Sequence, residues 1–129
     1  STLAQKLNLK PDVVLEVVNL PENWMERLGK ELPANPVKLS SSDNPAARMI
    51  FVISRKQVEE LVFPVIGSLP SKCVFWIAYP KGTSGIDTDI NRDILWKLIE
   101  PKGWGPARMI ALDEVWSCMR FSVIVEKNK

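Results

Sequence analysis

Histidine is missing from all 129 residues. That absence excludes Ser-His-Asp and Cys-His catalysis and His-ligated metal sites. Any acid–base work would fall to Asp, Glu, Lys, Tyr or Cys. Cysteines are scarce. Cys73 and Cys118 are too few for a disulfide framework or a structural zinc site. Long hydrophobic runs are absent as well, none approaching the roughly 20 residues that span a bilayer. The opening stretch STLAQKLNLKP has no signal-peptide h-region. A cytoplasmic protein with no membrane partner is expected. Nor is there an excess of one charge. The chain has 17 basic and 15 acidic residues, a net charge of +2, which gives no support for a nucleic-acid partner.

What is present suits one α/β domain spanning residues 1–129. Hydrophobic residues make up 46% of the chain, enough for a real core. There are no internal repeats, and SSSDNP (Ser40 to Pro45) reads as a loop. A short helix opens the chain, with Leu3, Ala4 and Leu7 on one face. DVVLEVV (Asp12 to Val18) is rich in β-branched residues and reads as a strand. PENWMERLGKEL reads as a helix with Pro21 near its start. VKL (Val37 to Leu39) is a short strand. MIFVI (Met49 to Ile53) and CVFWIAY (Cys73 to Tyr79) are continuously apolar, as strands covered on both faces are.

Between those two apolar strands lies the clearest helix. Ser54 and Gln57 have capping-box spacing, and Val58, Leu61, Val62, Val65, Ile66 and Leu69 form its apolar stripe. Pro64 lies off the stripe, which predicts a bend with its ring toward solvent. A further helix covers roughly Ile90 to Glu100, capped by Thr88 or Asp89. ARMIAL (Ala107 to Leu112) and CMRFSVIV (Cys118 to Val125) are close enough to form an antiparallel hairpin. The alternation predicts a three-layer, Rossmann-like, mostly parallel sheet of about six strands with a C-terminal antiparallel hairpin.

That order resembles the class I S-adenosylmethionine-dependent methyltransferases, whose sheet ends in such a hairpin. VLEVVNLPE (Val14 to Glu22) resembles that family's VLEVGCGPG pattern at Val14, Leu15, Glu16, Val17 and Pro21. Val18, Leu20 and Glu22 replace its glycines, which let the backbone turn tightly and approach the cofactor. The acidic residue expected after the second strand is not evident in KLSSS. No NPPY-like motif follows the third strand, which runs into Ser54-Arg55-Lys56. The resemblance therefore implies a degenerate methyltransferase-like domain with no cofactor. The chain also resembles a family of small bacterial proteins of uncharacterised function. FWIAYPK (75 to 81), SGIDTDINRDILW (84 to 96) and ALDEVWSCMRF (111 to 121) carry that likeness, which implies fold and membership but no activity.

Ligands of parallel sheets bind beyond the carboxyl ends of the strands. The candidate residues at that rim are Tyr79, Lys81, Thr83, Ser84, Asp87, Asp89, Asn91, Arg92, Asp113, Trp116 and Arg120. Lys81, Thr83 and Ser84 beside a helix start would suit an anion, but Asp87 and Asp89 in the same loop would repel it. Arg92 and Arg120 are placed to pair with Asp87, Asp93 or Asp113, the commoner reading being structural ion pairs. Glu16, within a central strand, is read as a hydrogen-bonded structural group. Trp76 is read as core, Trp96 as part-exposed. Cys73 and Cys118 fall on the order of 15 Å apart, too far to bridge.

Two functional classes remain. The first is a binding module for a small molecule or a protein, acting at the rim. The alternative is an enzyme in which Tyr79, Lys81, Asp87 and Arg92 carry the chemistry. A homodimer through Trp96 or the edge near Val37 is an assembly the sequence allows.

Overall fold

The computed structural model describes residues 1–124. Its centre is set by two strands that show no polar face to water. β3 (Ala47–Phe51) is buried at every position, and β4 (Val74–Pro80) at every position after the first. β1 (Leu15–Val18) pairs parallel with β3 on one side and with β2 (Val37–Leu39) on the other. β5 (Trp104–Ala111) and β6 (Trp116–Val123) form the hairpin, with β6 antiparallel to β4. The sheet order is β2-β1-β3-β4-β6-β5. The C-terminal strand begins at Trp116, earlier than the expected Cys118. Val125, its expected end, lies outside the described residues.

Helices cover both faces. α1 (Leu3–Lys6) and α2 (Trp24–Glu31) lie on one side with Leu7, Leu28 and Leu32, over Leu15, Val17, Met49 and Trp76. On the other side, α3 (Arg55–Gln57), a π-helical turn (Val58–Val62) and α4 (Phe63–Ile66) run on continuously. They pack with α5 (Arg92–Ile99) over Ile50, Phe75, Ile77 and Phe121. Alternation along β3 sends Met49 and Phe51 to the first face and Ile50 to the second.

The π turn has a local cause. Pro64 has no N–H to offer the carbonyl of Glu60, and its ring would crowd that carbonyl in an α-helix. The helix widens instead, and Phe63 N–H donates to the Val58 carbonyl, five residues back. Pro64 is exposed.

Two elements start later than their sequences suggest, each after a left-handed residue. Asp12 has φ 71° and donates its N–H to Ala34 O, so the strand begins at Leu15. Asn23 has φ 68°, so α2 starts at Trp24 rather than at Pro21. Asn and Asp tolerate this conformation better than other side chains that carry a Cβ. Glu16 and Arg48, register neighbours on β1 and β3, form a buried ion pair at 2.9 Å. Ser42 N–H donates to the same carboxylate at 2.8 Å, and the Ser42 hydroxyl donates to its other oxygen. Burial works to raise the Glu16 pKa. The Ser42 bonds and the Arg48 charge outweigh it and hold the carboxyl below its ordinary value.

Cys73 packs in one core and Cys118 in the other, both as free thiols. Burial raises the Cys73 pKa to about 11. Among the described residues no helix is long and apolar enough to cross a membrane.

Candidate functional site

The chain reverses direction across the sheet between β1 and β3. From β1 it moves outward to β2, then crosses back to β3 on the other side. In open α/β sheets the crevice beyond the carboxyl ends of such a pair is where ligands bind. Here the crevice is built from the turn after β1, the turn after β3 and the loop after β4.

Its interior is aromatic. Phe51 ends β3 and is 1% exposed. Trp116, which starts β6, meets it edge-on at 5.1 Å, and Trp24, which starts α2, lies tilted against it at 5.7 Å. Leu20, Ile53 and Ile86 pack against the core on this face of the sheet. The crevice mouth is bridged by side chains. Asn19 Nδ2 donates to Phe51 O at 2.9 Å and reaches Gln57 Oε1 at 3.4 Å. Gln57 Oε1 also accepts from Ile53 N–H at 2.8 Å. Ser54 accepts from Gln57 N–H as a cap should, but the reciprocal half of the capping box is diverted to Ile53.

The loop between β4 and α5 is laced across the rim. Lys81 N–H donates to Val115 O at 2.8 Å. The Thr88 hydroxyl donates to Ile53 O at 2.6 Å, and Asp89 accepts from Arg55 N–H at 2.8 Å. These engagements explain why neither residue caps α5, contrary to expectation. Asn91 does so, accepting from Ile94 N–H at 2.9 Å. Ser84 accepts from Ile86 N–H within the loop. Gly85 sits at φ 81°, where a Cβ would be strained. Thr83 and Asp87 are exposed.

The charged residues do not assemble as one constellation. Asp113 accepts from Val115 and Trp116 N–H and pairs with Arg27 at 2.9 Å. Burial works to raise its pKa, but those two amides and the guanidinium hold it below the ordinary range. Arg27 also lies over the Trp24 ring at 4.3 Å. Arg92 meets its neighbour Asp93 at 3.3 Å in an exposed pair. Arg120 sits well down β6, opposite Trp76 and away from the rim. Of the expected pairings, Arg92 with Asp93 forms, and among the described residues neither arginine pairs with Asp87 or Asp113; Arg120 is several residues from the rim end of its strand. Among the described residues no three His, Cys, Asp or Glu side chains gather to hold a metal.

Tyr79 faces the α5 side of the sheet. Its hydroxyl donates to Met109 Sδ at 3.2 Å. Burial raises its pKa, opposed by the Ser117 hydroxyl and the nearby Arg92 charge. Next to it a concavity of about 350 Å³ opens between α5 and β5, lined by Arg92, Trp96, Pro106, Met109 and Met119 among others. Trp96 and Met109 are 42% and 46% exposed. A second hollow, lined by Lys81, Arg27, Asp113 and Glu114, lies at the rim. The cluster of Trp24, Phe51 and Trp116 is not visible in the sequence. Its members come from three elements, and nothing local marks their convergence.

No family model matches the chain, and no curated protein matches it in sequence. Solved structures do match in shape. A LepI variant in complex with SAH and a substrate analogue is similar over 95% of this chain and 46% of that one, with a TM-score of 0.59 at 10% identity. The LepI complex with SAM gives 0.52 at 14% identity, over 95% of this chain and 39% of that one. The chain thus spans less than half the length of these proteins. The likeness is one of fold, which is methyltransferase-like: a mostly parallel six-stranded sheet with antiparallel C-terminal strands.

The methyltransferases that the sequence resembles would place a nucleoside cofactor in such a crevice. The residues present do not suit one. None of Val18, Leu20 and Glu22 has the positive φ that a glycine turn there would use; Asn19 and Asn23 have it instead. The space beside β1 and β3 holds indole and phenyl rings, and Asn19 and Gln57 hydrogen-bond across its edge.

Proposed function

We propose that the chain is a degenerate methyltransferase-like domain that acts as a binding module and performs no methyl transfer. The observation that carries this reading is the packing of Trp24, Phe51 and Trp116 into the switch-point crevice. An open groove lies between α5 and β5. Its volume of about 350 Å³ falls in the range of small-molecule pockets. The Trp96 indole, Met109 and Met119 offer apolar contact there, and Arg92 offers a cation. A small planar molecule bearing a carboxylate fits that lining. The enzyme alternative has less support, since Lys81 and Asp87 make no side-chain hydrogen bond or ion pair with Tyr79 or Arg92 among the described residues.

Four tryptophans are buried and Trp96 is 42% exposed, so acrylamide quenching reports chiefly on Trp96. Benzoate is expected to shield that fluorescence saturably, while S-adenosylmethionine leaves it unchanged. Trp96→Phe should remove both the quenchable component and the benzoate effect. Quenching indifferent to benzoate up to its solubility would rule out this groove.

A further inference from the structure

Two arginines are register partners on the terminal hairpin. Met119 and Phe121 belong to the core under α5, so Arg120 between them faces the side of α1 and α2. Its register partner on β4 is the buried Trp76. On β5 its partner is Arg108.

A β-bulge creates that second pairing. Pro106 pairs with Phe121, and the next pair is Arg108 with Arg120, so Ala107 is the extra residue. In an unbroken ladder Ala107 would oppose Arg120, and Arg108 would oppose Met119 on the other face. Bulges re-aim side chains in this way and are frequent beside binding sites. The outcome is unfavourable for the isolated sheet, because like charges directly opposite one another repel. Neither arginine makes an ion pair among the described residues. Arg120 Nε is shielded from solvent and has no hydrogen-bond partner among the described residues, a state that an arriving acceptor would relieve. Arg108 is exposed and within reach of solutes, and it also borders the α5–β5 groove at the sheet edge.

We propose that Arg108 and Arg120 form a binding site for a doubly charged oxyanion. A phosphate group or a pair of carboxylates would accept from both guanidinium forks and cancel their repulsion. The site meets the α5–β5 groove at Arg108, but the anion effect does not depend on Trp96.

Melting curves in sodium phosphate, sodium malonate and sodium chloride at equal ionic strength test it. Phosphate raises stability nonspecifically, so the comparison with Arg108→Gln is the readout. Wild type is expected to melt several degrees higher in phosphate, malonate or both, saturably, with the active anion identifying a tetrahedral or dicarboxylate ligand. Arg108→Gln should lose that extra rise. In chloride it should melt at or above wild type, because the repulsion is gone. An equal rise in both proteins, no rise with either anion, or a variant less stable in chloride would overturn the assignment. The last result would mean that Arg108 already has a partner.

Discussion

Phe51→Ala is expected to destabilise the protein by about 3–5 kcal/mol, the usual range for removing a buried phenyl ring. For a domain of this length that corresponds to a fall in Tm of roughly 10–20 °C. Phe51 is 1% exposed and is held between Trp24 and Trp116 at 5.7 and 5.1 Å. It also ends β3, whose every residue is buried, so the neighbouring backbone has little freedom to collapse into the space. Were the crevice an open ligand site, Phe51 would border water and its loss would cost well under about 1 kcal/mol, as surface changes do. Thermal denaturation of the variant separates the two cases.

Arg48→Met should destabilise by a similar amount, about 3–5 kcal/mol, because it leaves Glu16 buried without its counter-charge. The effect has a characteristic pH dependence. In wild type the Glu16 pKa is lowered in the folded state. Glu16 therefore contributes stability above the unfolded carboxylate pKa, and that contribution is lost as pH falls through the lower folded pKa. Without Arg48, burial is opposed only by the hydrogen bonds from Ser40 and Ser42, and protonating Glu16 becomes favourable to the fold. The stability gap between wild type and variant is thus expected to narrow as pH is lowered toward the acidic range. Pairing the change with Glu16→Gln should recover much of the loss at neutral pH. A gap that stays constant from neutral to acid pH would mean the pair is not coupled as its 2.9 Å contact indicates. Urea titrations at a series of pH values supply the comparison.

Much of the fold is legible in short stretches of sequence. MIFVI and CVFWIAY are uninterrupted by charge, and they overlap the central strands Ala47–Phe51 and Val74–Pro80. Ser54 and Gln57 mark a helix start, and the spacing of the last two strands marks a hairpin. Pro64 signals a disturbed helix, though not that the disturbance is a π turn. The losses are all long-range. Thr88 and Asp89 look like caps for the helix that follows, but their side chains bind Ile53 and Arg55, more than 30 residues earlier. Asn91, next in line, takes the cap. Arg48 is a charge directly before an apolar run, and only the parallel register of β1 with β3 reveals Glu16 as its partner. Asn19 looks like a spacer between lost glycines. Its left-handed backbone and its bond to Phe51 O make it the bridge over the crevice.

The candidate site follows the same division. The rim segments are readable as neighbours, because parallel strands put their carboxyl ends together and a hairpin must turn beside them. Lys81 N–H bound to Val115 O is that adjacency. Whether the rim is open is not readable, because it depends on rings from α2, β3 and β6 meeting in one place. The bulge at Ala107 is equally hidden, and with it the pairing of Arg108 with Arg120.

The filled crevice is tested most directly by melting the protein with and without about 1 mM S-adenosylmethionine. A ligand with a Kd of about 10 μM would add about 2.7 kcal/mol at that excess, a shift of several degrees. With Trp24, Phe51 and Trp116 occupying the space and Asn19 bonded across its mouth, no shift is expected. A saturable rise in Tm would contradict the account, because the rings would then have to give way to the nucleoside.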